Sequence, residues 1–96
     1  MTHKPPAHLK AAGKALWRGI QTDWELDSAH DLIRLAAACE AADRMTEARE
    51  AVDRDGAYVS GRFGPKPHPG IAVERDARIA LLRALRELGV DVKGIR

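Results

Sequence analysis

The sequence predicts an all-α protein of three helices. A long second helix and a third form an antiparallel hairpin, interrupted at about 56–68 by a short Gly/Pro-rich loop or β-hairpin. Three observations carry this. Aromatics make up only 4% of the 96 residues while alanine is abundant, which suits packed helices better than a sheet sandwich. Three stretches place apolar residues at helical spacing. Between the second and third lies GAYVSGRFGPKPHPG, whose four glycines and three prolines are too many breakers for a helix. At this length 1–96 is one domain, with 1–6 and 90–96 expected as flexible tails.

Thr2–Ala7 reads as a lead-in, and Pro5-Pro6 suits a helix start. The first helix is expected from about Ala7 to Trp24. Leu9, Gly13, Leu16, Trp17, Ile20 and Trp24 share one side, and Lys10, Lys14 and Arg18 form a basic stripe beside it. The default reading of that stripe is a solvated flank; phosphate contact is the sharper alternative. Trp17 and Trp24 read as core or interface anchors before base-stacking platforms.

Ser28 with Asp31 resembles a capping box, with Asp27 as the competing cap. The second helix runs from there to about Arg54, where Asp55-Gly56 ends it. Its early core positions are Leu32, Leu35, Ala36 and Cys39. The series Leu35, Ala38, Ala42, Met45, Arg49, Val52 alternates steps of three and four, like a short coiled-coil seam. Ala37, Ala41 and Ala48 occupy other sides. The helix is therefore expected to have neighbours beyond its own subunit.

In the breaker-rich stretch, Tyr58-Val59 and Arg62-Phe63 flank Ser60-Gly61, a candidate tight turn. Lys66-Pro67-His68-Pro69 is extended by proline restriction. The third helix starts near Pro69 and stops at Gly89. Val73, Ala77, Ala80, Leu81, Ala84, Leu85 and Leu88 make its main apolar face. Ile79 and Leu82 lie on the opposite side among Arg75, Arg78 and Arg86. Two aliphatics on that back face favour an oligomer.

The net charge of +2 conceals a segregation: residues 1–22 carry +4, residues 23–55 carry −6, and residues 56–96 carry +4. Unlike segments can pair within or between subunits, and the remaining basic surface suits phosphate. Enzyme chemistry finds no positive support. His3, His8, His30 and His68 make no metal-ligand spacing with one another or with Cys39. His68, between two prolines, reads as a residue that holds loop geometry by a hydrogen bond. Cys39 reads as a buried small hydrophobe, and as a lone cysteine it permits no internal disulfide and fits a reducing cytoplasm. The acids of the second helix read as a solvated face. Gly61 and Gly64 lack the following residues of a phosphate-cradling loop. No metal or cofactor is expected. No signal-like N-terminal run and no run of about 18 apolar residues occurs, so neither secretion nor a membrane span is indicated.

Pro6, Leu9, Ala15 and Trp17 in PAHLKAAGKALW open a longer pattern. It continues through Leu26, Asp31, Leu35, Cys39 and Ala42-Asp43, then Gly61 and His68-Pro69, and ends in LLRALRELGV. In order and spacing this resembles the small subunits of bacteriophage terminases over about residues 5–90. The resemblance implies a non-enzymatic DNA-recognition subunit that forms homo-oligomeric rings and acts in the host cytoplasm during phage assembly. Such a subunit binds concatemeric double-stranded viral DNA and presents it to the large subunit, which carries the ATPase and nuclease. This chain departs from many such subunits in having no obvious separate helix-turn-helix domain and no long C-terminal extension.

The expected DNA contacts are Arg62 and Lys66 first, then Lys10, Lys14 and Arg18, then Arg75 and Arg78. The expected oligomer contacts are Leu35, Ala38, Ala42, Met45, Ile79 and Leu82. Two other readings compete. A small transcription regulator would need two short helices joined by a tight turn, and the second helix is too long for that. A helical protein–protein adaptor would explain the alanine seam and leave the basic loop incidental.

Overall fold

The computed structural model describes residues 3–90. It is mostly helical, in the order α1 (Ala11–Trp24), α2 (Ala29–Asp55), β1 (Tyr58–Gly61), β2 (Gly64–Pro67) and α3 (Pro69–Leu88). The long second helix, the antiparallel return of α3 and the short hairpin between them agree with the sequence reading.

α2 is the spine. α1 packs on its first half and α3 runs back antiparallel along it. Leu9, Trp17, Ile20, Leu35, Ala38, Cys39, Leu85 and Val90 form one buried cluster where all three helices meet. Beyond Glu47 nothing of α1 remains, and α2 with α3 continues as a two-helix stem, closed by Gly70 packing against Val52 and the Ala48 carbonyl. The hairpin caps that stem, its strands packing chiefly on each other. The result is elongated, 54 × 25 × 22 Å. His3 and Val90 both lie at the three-helix end. The His3 carbonyl accepts from the Trp17 indole N–H at 2.9 Å, and Val90 is buried in the cluster.

Several boundaries differ from expectation. α1 begins at Ala11 rather than Ala7, because residues 7 and 8 form a turn closed by Leu9 N–H to the Pro6 carbonyl at 3.2 Å. Ser28 is the N-cap of α2, but its hydroxyl caps nothing and lies 3.4 Å from His30 Nε2. The hairpin turn is Arg62-Phe63, two residues beyond Ser60-Gly61, with Gly61 paired to Gly64. Ser-Gly looks like a left-handed turn pair, yet the chain places its positive φ on Gly64 (+118°), after the turn. Lys66 and Pro67 consequently belong to β2. Trp17 is buried as expected, whereas Trp24, at the open end of α1, is 41% exposed. Of the proposed tails, residues 1–2 and 91–96 lie outside the described residues.

Asp43 corrects the reading of the α2 acids as uniformly solvated. It is buried, and its carboxylate accepts from the Lys10 and Gly13 amides at 2.7 and 2.6 Å. Lys10 is the N-cap of α1 and offers no side-chain cap of its own. An acid on one helix therefore supplies the missing cap of another, satisfying orphan amides and meeting the positive end of the dipole. Gly13 makes this approach possible, since a Cβ there would sit 2.6 Å from Asp43 Oδ2 and 2.8 Å from the Cys39 carbonyl.

Candidate nucleic-acid interface

The hairpin root is held by one histidine. His68 donates its backbone N–H to the Ala57 carbonyl at 2.8 Å, continuing the ladder by one rung. Its Nδ1 accepts from the Gly70 amide at 2.8 Å, capping α3, while Nε2 faces Asp55 Oδ2 at 3.0 Å. An accepting Nδ1 fixes the tautomer with the proton on Nε2, which donates to Asp55. Arg54 pairs with the same carboxylate, and these two partners, Arg54 first, hold the Asp55 pKa below its ordinary value. The histidine thus acts as the expected holder of loop geometry.

From this root the hairpin carries Arg62, Phe63 and Lys66 outward, all exposed. Phe63 is 95% exposed and Tyr58 69%, so half of the four aromatics of the chain stand on this small element. The Arg62 guanidinium lies over the Phe63 ring, 5.4 Å from its centroid, within cation–π range. No acid occurs from Gly56 to Val73. Composition favoured Arg62 and Lys66 but passed over Phe63, and the signal was available: a large apolar residue among turn formers and bases.

The other candidate cations divide by pairing. Lys10 bonds Glu47 at 2.8 Å, and that bond raises its pKa. Arg75 lies 3.4 Å from Asp76, and Arg78 lies 3.0 Å from Glu74, which also takes Arg49. Among the described residues, no carboxylate lies within ion-pair distance of Arg62, Lys66, Lys14 or Arg18. Arg44, Arg83 and Arg86 share that condition and were not anticipated. Lys14 and Arg18 are on α1, which reaches α2 only as far as Glu47, so the structure does not join them to the hairpin in one patch.

The anticipated oligomer contacts also divide. Leu35 and Ala38 are fully buried inside the subunit, Ala42 is 6% exposed, and Met45 is half-buried. The alternating seam of α2 is thus largely occupied by the chain's own helices. Ile79 (50% exposed) and Leu82 (40%) remain open on the back of α3, joined there by Ile71. On another side, Val73 and Ala80, expected in the main apolar face of α3, are exposed. They line an open groove of about 440 Å³ with Ala41, Ala77, Glu40, Arg44 and Asp76. Ile33, 70% exposed on α2, was not anticipated.

Cys39 is fully buried, and desolvation pushes its thiol up to about 12. Among the described residues no group of three or more His, Cys, Asp or Glu converges, and no helix is long and apolar enough to cross a membrane.

Fold and surface define a small helical hairpin protein with a basic, aromatic-tipped β-ribbon and uncovered apolar faces. The family described as phage terminase, small subunit, matches residues 13–94. The chain belongs to the phage terminase small subunit family. No curated protein and no solved structure matches it.

Proposed function

We propose that this chain is the DNA-recognition component of a phage genome-packaging motor, without catalytic chemistry of its own. Copies associate as a ring, bind concatemeric double-stranded viral DNA and present it to the terminase large subunit in the host cytoplasm. The observation that carries this reading is the hairpin: a projecting element with two unpaired cations, two exposed aromatics and no acid. Arg62 and Lys66 are the first phosphate contacts, and Lys14 and Arg18 the second group. Lys10, Arg75 and Arg78 contribute less, because each must first leave a carboxylate. Few contacts per subunit suffice when the subunits are linked, since each further engagement is intramolecular.

The experiment is duplex binding measured across a salt series. Affinity falls steeply with salt. Arg62→Ala with Lys66→Ala makes the log–log slope shallower by about 0.9 for each phosphate that the two side chains neutralise. An unchanged slope removes the hairpin from the interface.

A further inference from the structure

The hairpin holds more than an electrostatic contact requires. Phosphate attraction accounts for Arg62 and Lys66 and leaves Phe63 unexplained. An aromatic ring 95% exposed at a turn is an unsatisfied apolar surface. The strands pack chiefly on each other, and the exposed ring meets no core among the described residues.

Pairing with another strand along β2 is also closed off. In the register Tyr58↔Pro67, Val59↔Lys66, Ser60↔Pro65, Gly61↔Gly64, the Ala57–His68 bond marks the hydrogen-bonded rungs as 57/68, 59/66 and 61/64. Pro65 and Pro67 therefore occupy the alternate rungs, where the backbone faces outward. Both outward amide donors of β2 are missing, and the ladder inside the hairpin is untouched. This is the placement that denies an edge strand a partner.

The charge around the ring selects what it meets. Acids stand at the root: Asp53 and Asp55 on α2, the latter held by Arg54 and His68. Four strand residues separate root from tip, roughly 13 Å. That exceeds the ~10 Å screening length at 0.1 M salt, so the tip presents its own positive charge to a polyanion. Arg62 lies over one face of the ring, so it must swing off that face as the ring inserts, which leaves the guanidinium beside it. An apolar wedge with an adjacent arginine is the chemistry that enters the minor groove at a flexible base step and unstacks it.

We propose that the hairpin tip is a DNA wedge: Phe63 inserts between base pairs at a deformable step, with Arg62 beside it in the minor groove. The proposal rests on the DNA-binding reading above and adds a source of sequence preference without hydrogen bonds to base edges. Pyrimidine–purine steps cost least to open, so sites rich in them bind best.

The test uses the full chain and two linear duplexes of equal length. One carries a central TA step with 2-aminopurine beside it and dyes at its ends; the other is G·C-rich with no such step. The wild type raises 2-aminopurine fluorescence, brings the ends closer and prefers the TA duplex. Phe63→Ala abolishes the fluorescence and end-to-end signals and weakens TA-duplex affinity about tenfold, leaving the salt slope unchanged. Phe63→Trp retains all three. Since Phe63 is solvent-exposed, neither variant threatens the fold. If Phe63→Ala binds and unstacks like the wild type, the wedge is refuted and the electrostatic reading stands. If Phe63→Ala instead lowers the mass of the assembly, the ring is a subunit contact and the wedge is likewise refuted. If the wild type ignores both duplexes in dilute buffer, the DNA-binding reading itself fails.

Discussion

Asp43 and Gly13 make the most demanding contact in the molecule. A buried carboxylate with no cation at ion-pair distance among the described residues survives because two backbone amides and a helix terminus face it. Asp43→Ala leaves those amides orphaned and destabilises the fold by about 1–3 kcal/mol. Asp43→Asn, which keeps one acceptor, costs less than alanine. Gly13→Ala forces a methyl into the same space and costs about 1–3 kcal/mol by overpacking. Urea unfolding of the three variants checks the order; a Gly13→Ala protein as stable as the parent shows that α1 and α2 can part there at little cost. The sequence placed Gly13 on the correct face of α1 but could not reveal that its missing side chain matters. Nor did it separate Asp43 from the other acids of α2, since the partner amides lie about thirty residues away. Cys39 was legible because burial on an apolar stripe needs only the local period.

At the scale of elements, the helices were readable and the joints less so. Periodicity located three helices, and Gly89 ended α3 as expected. It misplaced the start of α1, because that helix is capped by a residue of another helix, and local signals carry no trace of it. The hairpin existed where breakers clustered, but its turn slipped by two residues because Gly61 and Gly64 both fit a turn and only pairing decides between them. The His68 junction is where these elements depend on one another. His68→Ala removes the α3 cap and the Asp55 contact, and lowers stability by about 1 kcal/mol in a denaturant titration. The acid dependence has a definite sign. Asp55 has its pKa lowered in the fold by Arg54 and His68, so its contribution is present above its ordinary value of 3.8 and is lost as pH falls through the folded value. Asp55→Asn therefore flattens the stability profile in that acid window, and an unaltered profile contradicts the pairing.

The whole molecule combines a three-helix body with a stem only two helices thick. Ile71, Val73 and Ile79 are left bare along α3. The seam expected to join subunits is mostly used within the subunit, because amphipathic spacing cannot tell an internal partner from an external one. On the proposed ring, Ile79→Glu with Leu82→Glu lowers the assembly mass by light scattering while the helical circular dichroism persists. Leu35→Ala behaves differently, costing about 2–5 kcal/mol of fold stability through a cavity. If the Ile79 and Leu82 variants keep the parental mass, the back of α3 is not a subunit contact.

His3 and Val90 share the blunt pole, and the hairpin occupies the other. The intervening spine of 27 residues measures about 40 Å. A fluorophore fixed near Val90 would thus watch copies gather while staying far from whatever the opposite extremity holds.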